Sequence, residues 1–417
     1  WLASGGCGRW WPPALAAGGG WLAGALLIYV PYFLTAQSQV EGIVPNLFNP
    51  TRLPQFLLMF GQFVPGVITL LLLVRPAGKP ALRTAGGVAL AVLGLPLLFL
   101  GGMAFLALNT AAGAERLAGM ALPEGATGYA PFMWARWGRH FGTALLVGMG
   151  LTATLSLLVE TLRRREAAQV AGGARIFALA LAALGLALVY APEFVFLKDH
   201  FGTRMNTVFK FYYQGWLLLG LASAFAVAAA WRAVEGPRIA ARAASVLALV
   251  LMASGLLFPV AAAYAKTGGF RATQPTLDAT AYIAADEQAA VTWVRDHTAP
   301  DSVVLEGRGD SYIAGDNRIS AMTGRPTLLG WEGHESQWRG RAYLEMRAGR
   351  PEALEIVYRS GTPEQIRATL AMWGIDYVYV GPAEIEAYGI SPQRLRLLKE
   401  TLELAFEQGQ ARVFRRR

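Results

Sequence analysis

The chain has 417 residues, 54% of them hydrophobic and only 16% charged, with a mean hydropathy of +0.37, a balance that excludes an ordinary water-soluble globular protein. Its formal charge of +9 is unevenly placed: 18 Lys and Arg stand against 8 Asp and Glu before Ala265, and 19 against 20 after it. The basic excess therefore lies in the apolar part, where it reports membrane topology, and it excludes nucleic acid as a partner.

Cys7 is the single cysteine, which rules out a disulfide framework or thiolate metal cluster within this sequence. The sequence opens at Trp1 with neither an initiator Met nor a charged stretch leading to a cleavage site. It reads as a fragment, the later part of a longer protein.

A spanning helix needs about 20 apolar residues, and seven segments approach that length: Pro13–Leu34, Gln55–Val74, Ala85–Leu108, Phe141–Val159, Ile176–Phe196, Phe209–Trp231 and Ala244–Tyr264. The fifth is the weakest, since Pro192 and Glu193 fall near its end. Arg75, Lys79 and Arg83 follow the second segment, Arg163, Arg164, Arg165 and Arg175 the fourth, and Arg232, Arg238 and Arg242 the sixth. These three turns are expected in the cytoplasm, which puts the turns after spans one, three and five, and everything beyond span seven, on the opposite face.

Between spans three and four, YAPFMWARWGRH places Trp134 and Trp137 three residues apart on one helical face. An interfacial aromatic belt explains this pair; a lipid- or sugar-contacting surface is the alternative.

Between spans five and six, LKDHFGTRMNTVFKFYYQGW and the preceding Glu193 bring Glu193, Lys198, Asp199, His200, Arg204 and Lys210 within 18 residues. Charges at a membrane edge are expensive unless paired, wet or functional. If span six starts near Asn206, then Asn206, Lys210 and Gln214 recur at i, i+4 and i+8 with Tyr213 beside Lys210. Such a polar stripe is expected to face the bundle interior or a water-filled cavity, or else to make interhelical hydrogen bonds. Arg204 suits a bidentate grip on phosphate and Lys210 a point charge beside it. Glu193 and Asp199 suit a general base or ligands to a divalent cation, or equally ion pairs to Lys198 and Arg204. His200, without a second ligand, suits a hydrogen-bonding role better than metal binding.

After Tyr264 the composition is that of a soluble domain of about 150 residues. SVVLEG (302–307) and DYVYVG (376–381) read as short buried strands, each preceded by a helix-like stretch, and LELAFEQGQARVFRR closes the sequence as a hairpin about Gly409. The expected fold is a membrane all-α helical bundle of about seven spans, residues 1–264, followed by an extracytoplasmic α/β domain, residues 265–417.

Within the latter, GWEGHESQWRGR gathers Trp331, Glu332, His334, Glu335, Trp338 and Arg339. Tryptophan faces flanked by carboxylate and guanidinium groups suit a sugar ring; a loop closing the domain on the membrane is the alternative. The RGDS of residues 308–311 is a short match of the sort chance produces, and Asp310 and Asp316 read as a solvated turn.

The stretch FGTRMNTVFKFYYQGW resembles the signature of the Chlor_Arch_YYY family, very hydrophobic membrane proteins of archaea and bacteria named for a YYYxG motif. Here the motif reads Phe211-Tyr212-Tyr213-Gln214-Gly215, with Phe in the first place. YFLTAQSQVEGIVPN, TRLPQFLLMFG and TGRPTLLGWEGHESQWRG are similar to the family's pattern as well, so the resemblance covers most of the chain. It implies further spans upstream and a layout similar to C-type glycosyltransferases, with an outward-facing site and a carboxy-terminal domain. By that analogy the chain is an integral membrane glycosyltransferase-like protein using a polyprenyl-phosphate sugar donor in the membrane lipid, with Tyr212 and Tyr213 beside the donor and the main catalytic acid upstream. A transporter or flippase for an anionic lipid or solute, or a non-catalytic scaffold, are the other readings.

Overall fold

The computed structural model describes residues 11–35, 40, 42–74, 82–120, 122–163, 170–199, 202–232, 238–271, 276–313 and 315–417. The chain divides into two compact units, Trp1–Phe270 and Arg271–Arg417.

In the first unit, five described helices are long and apolar enough to cross a bilayer: Arg83–Asn109, Gly142–Arg163, Gly173–Glu193, Met205–Arg232 and Arg238–Lys266. The second expected span is broken. Leu53–Phe60 and Phe63–Leu73 meet at 72°, because Pro65 brings no amide hydrogen and its ring would clash with the Gly61 carbonyl in a continuous helix, whereas the first turn of a new helix accepts it. The first expected span lies in the helix Trp11–Thr35, whose stretch Ala16–Tyr32 is shorter than the other apolar helices. The fifth stops at Tyr190. Pro192 turns the chain through a 3-10 turn, Ala191–Glu193, into a strand.

Small residues set how the helices approach. A Cβ at Gly215 would stand 2.7 Å from Val189 Cγ1 and 3.1 Å from the Gly185 carbonyl oxygen, and one at Gly66 would collide with Ser223. The helix Met205–Arg232 thus presses its Tyr212, Gly215, Leu219, Ala222, Ser223 and Ala226 face between its neighbours, the packing expected of helices with no hydrophobic force between them in lipid. Leu90–Gly94 forms a π turn inside its long helix. There the Tyr190 hydroxyl donates to the Val92 carbonyl at 2.9 Å, its ring seated against Gly148.

The second unit carries a four-stranded mixed sheet in the order β3 (Val304–Leu305), β4 (Tyr377–Val380), β6 (Ala411–Arg415), β5 (Glu403–Gln408), with β3 and β4 parallel and the other pairs antiparallel. Its strands alternate in the two-residue period. Leu305, Val378, Val380 and Phe414 face one core with Leu354, Ile366 and Leu370, and Val304, Tyr379 and Val413 face another with Val291, Val294 and Ile319. Gly409 takes a positive φ of 56° in the turn from β5 to β6.

Two carboxylates are enclosed where β3 ends. Glu306 accepts from the amides of Ile319 and Ser320 at 2.8 and 2.9 Å, and Glu384 from those of Gly307 and Gly381, both at 2.9 Å. Burial pushes the Glu306 carboxyl up to about 7, with the Glu384 charge adding to it and the hydrogen bonds opposing it; burial likewise raises Glu384.

Two outcomes follow. Gly215→Leu forces Val189 and Gly185 apart and lowers stability by ~1–3 kcal/mol, read as a drop in the thermal unfolding midpoint of the detergent-purified protein, whereas Gly220→Ala, with only Phe63 at 3.7 Å, leaves it within error. In the second unit, a carboxyl raised on folding stabilises fully below its ordinary value near 4.5 and loses that contribution as pH rises through about 7. Hydrogen exchange over residues 303–330 is therefore expected to show a loss of up to ~3 kcal/mol between those values, and Glu306→Gln flattens the profile.

Candidate functional site

Three segments far apart in sequence join at one end of the first unit. The strand Gly42–Pro45 (β1) pairs antiparallel with Val195–Lys198 (β2), Gly42 opposite Lys198 and Pro45 opposite Val195. Asn46, buried, continues the link: its amide donates to the Phe194 carbonyl at 2.8 Å and its side-chain NH2 to the carbonyls of Asn49, Pro192 and Glu193. The helix Tyr129–His140 locks the same loop from outside, Trp137 Nε1 donating to the Leu47 carbonyl at 3.0 Å and Arg136 Nε to that of Phe48 at 3.2 Å. Thr143 Oγ1 donates to the Thr51 carbonyl at 2.8 Å.

This joint brings Thr51 against Glu193. The Glu193 side chain is 0% exposed. One carboxylate oxygen accepts from the Thr51 amide at 2.9 Å; the other accepts from Thr51 Oγ1, from Arg204 Nη1 at 2.9 Å and from the Tyr212 hydroxyl at 3.4 Å. Arg204, 15% exposed, also donates through Nη1 to the Pro192 carbonyl at 3.1 Å and through Nη2 to Thr51 Oγ1 at 2.8 Å. The Tyr212 ring stands edge-on to Phe60 and Phe56, with centroids 5.2 and 6.4 Å away. An enclosed carboxylate needs an opposite charge and filled lone pairs to offset lost hydration, and Thr51, Arg204 and Tyr212 supply both.

The residues of the expected polar stripe stand outside this cluster. Lys210, Tyr213 and Gln214 are exposed on the helix Met205–Arg232, Tyr213 to 70%, and Asn206 is half-buried. The helix rotates to bury its small residues, and a lysine or glutamine in the tight crossing with Gly185 would hold the helices apart. Arg204 is likewise no open phosphate clamp, because its guanidinium is engaged by Glu193, Thr51 and Pro192. Asp199 is buried and accepts from Asn206 Nδ2, separate from the Glu193 cluster. His200 lies outside the described residues. Among the described residues, no group of three or more His, Cys, Asp and Glu is placed to hold a metal ion.

An open, apolar cavity of about 470 Å³ adjoins the cluster, lined by Leu95, Phe99, Leu151, Ala187, Tyr190 and Phe194 among others. Sequence reasoning left Asn46 and Thr51 without a role; the signal was their place in the quoted IVPN and TRLPQF stretches. The groove needs side chains from three helices together, which no local pattern reports.

In the second unit, Glu332–Arg339 is helical. His334 is ringed by aromatic groups, its centroid 4.7 Å from Tyr312, 5.3 Å from Trp331 and 5.4 Å from Trp338. Tyr312 and Trp338 are 76% and 66% exposed, while Trp331 Nε1 donates to the Asp316 carbonyl. The carboxylates here are engaged: Glu332 accepts from Tyr343 at 3.0 Å and from Arg347 at 2.5 Å and lies 3.3 Å from Arg308, and Glu335 accepts from the Gly330 amide at 2.9 Å and faces Arg339 at 3.6 Å. The surface offers aromatic faces and arginines more than open carboxylates.

Residues 12–219 match the model of a family described as an uncharacterized membrane protein (DUF2298). That match includes Thr51, Glu193, Arg204, Tyr212 and every groove residue named above, and together with the five apolar helices it marks the chain as a membrane protein. No curated protein and no solved structure matches the chain.

The paired charges give a direct expectation. Glu193→Gln and Arg204→Met, made singly, each leave the other charge enclosed and destabilise by ~3–5 kcal/mol. The double variant recovers most of that loss, so a thermodynamic cycle on unfolding midpoints in detergent reports strong coupling; additive losses would refute the pairing.

Proposed function

We propose that the chain is part of a membrane glycosyltransferase of the C-type kind, holding a sugar donor linked to polyprenyl phosphate. The observation that carries this reading is the apolar groove beside the Glu193–Arg204 joint, sized and lined for a lipid chain. By the positive-inside rule the groove end is read as facing away from the cytoplasm, and the second unit has in its exposed Tyr312 and Trp338 aromatic faces that suit a sugar.

In glycosyl transfer from such a donor, the bond from the sugar's anomeric carbon to the phosphate oxygen breaks, the acceptor oxygen bonds to that carbon, and the acceptor's proton must go to a base. Glu193 is unsuited to be that base, since Thr51, Arg204 and Tyr212 occupy its oxygens and leave it no approach to an acceptor. Its part is positioning: it fixes the loop and strand that wall the groove. For Glu193 the ion-pair alternative is therefore preferred to the catalytic one, and Asp199 is given no part in the transfer.

A second reading, movement of an anionic lipid across the bilayer, draws on the 72° break at Gly61, since interrupted helices recur where transporters bind their substrates. Proteoliposome assays separate the two: sugar transfer to an acceptor supports the first, and transbilayer movement of the lipid without transfer supports the second.

The binding step is tested with a plug in the groove. The purified protein is expected to retain a polyprenyl-phosphate hexose through native mass spectrometry, and Ala187→Trp to weaken that retention about tenfold or more at an unchanged unfolding midpoint. Retention unaffected by the plug would overturn the groove as the donor site.

A further inference from the structure

Three arginines and a histidine from two elements meet at the groove end of the first unit, outside the Glu193 cluster. Arg52 precedes the helix Leu53–Phe60, and Arg136, Arg139 and His140 lie in the last turn and a half of Tyr129–His140. The two backbones are tied on both sides of Arg52: Thr143 Oγ1 donates to the Thr51 carbonyl at 2.8 Å, and a Cβ at Gly142 would stand 3.2 Å from Leu53 Cδ2. Arg136 and Trp137 bind the preceding loop through the Phe48 and Leu47 carbonyls. His140 is pushed below its ordinary pKa, first by burial and then by Arg136, Arg52 and Arg139, so the imidazole and the three guanidinium groups share one neighbourhood.

Residues 42–60 and 129–159 contain no Asp or Glu, and Glu193, held on the Thr51 amide, is already matched by Arg204. Nor does topology account for the cluster. The Arg-rich turns occupy the other end of the helices, where Arg163 donates to Thr84 at 2.9 Å and Arg242 to the Ala230 carbonyl at 3.4 Å. Cations that orient a bundle belong at that end. Arginines at the opposite end, without an ion pair among the described residues, point to an anion brought by a ligand.

We propose that Arg52, Arg136, Arg139 and His140 bind the phosphate group of a membrane lipid whose chain lies in the apolar groove. The lipid is favoured over a free anion because the helix that carries three of these residues also packs on the groove wall, Trp137 lying 6.0 Å from the Phe194 ring. This rests on the reading of the groove as a lipid site. It moves the phosphate from Arg204 and Lys210, where the sequence pattern put it, to residues on the outer loop and helix.

Farnesyl monophosphate, farnesol and inorganic phosphate serve as probes, titrated into the purified full chain in detergent with tryptophan fluorescence as the readout. The phosphate ester is expected to bind about tenfold or more tightly than the alcohol, and inorganic phosphate more weakly than either. Arg52→Gln with Arg139→Gln removes the advantage of the ester and leaves farnesol binding as it was, while Arg52→Lys with Arg139→Lys keeps part of it. Ala187→Trp weakens ester and alcohol together and preserves their ratio. Equal binding of ester and alcohol by the unaltered protein, or an ester advantage that survives the Gln pair, would overturn the cation site while leaving the groove intact. Inorganic phosphate binding as tightly as the ester, unaffected by the plug, would overturn the lipid as its source, and failure of both isoprenoids to bind would overturn the groove reading itself.

Discussion

A carboxylate enclosed at the end of an apolar bundle is tolerable only if a cation and enough hydrogen-bond donors reach it, and Glu193 is such a group. Meeting that demand draws the chain together over long distances. Arg204 comes from beyond the strand Val195–Lys198, Thr51 from a loop some 140 residues earlier, and Tyr212 from the second turn of the next helix. Each recruit needs its own support: Asn46 and the β1–β2 ladder hold the loop in place, and Trp137 and Arg136 hold it from outside. The groove wall at Phe194 follows from the same joint, because the residue after Glu193 has nowhere else to go. The packing of two charges thus shapes the surface on which a ligand would rest.

The other constraint is steric. Along Met205–Arg232 the buried face is chosen by what must be small, Gly215, Ala222, Ser223 and Ala226, and the polar side chains take the remaining faces. Hydrogen-bonding potential yields to closeness of approach here, because a lipid-facing lysine near a helix end can reach toward the interface, whereas a lysine in a crossing that excludes a methyl group has no room at all. Tyr212 and Gly215 show the two constraints at work in one turn, the phenol serving the enclosed carboxylate and the glycine the crossing.

Much of the architecture was legible because its causes are local. The short apolar run DYVYVG marked a buried strand and Gly409 a hairpin turn, whereas the expected fifth span ran to Phe196, past Tyr190 where the helix ends. The break at Gly61 was hidden inside an apolar run, since hydropathy does not register a proline that ends one helix by starting another. For Arg204 the sequence left an anion site and an ion pair with Glu193 both open, and it gave no sign of Thr51, 153 residues away. The rotation of Met205–Arg232 was misjudged because a polar stripe in sequence says which residues share a face and leaves open where that face points. In the GWEGHESQWRGR stretch the i, i+4 pairing of His334 with Trp338 was readable, but the ion pairs that occupy Glu332 come from Arg308 and Arg347, outside the helix.

The π turn at Leu90–Gly94 carries a further consequence. A π turn accommodates one residue beyond the α-helical count, which rotates everything after it by about 100° about the helix axis. Before the turn Val88 packs on the main core, and within it Val92 is buried there; after it, Leu95 and Phe99 come round to wall the cavity. The groove therefore owes its open side to a single surplus residue. Deleting one residue from that turn, with no change to any side chain that lines the cavity, would restore a regular helix and swing Leu95 and Phe99 off the wall.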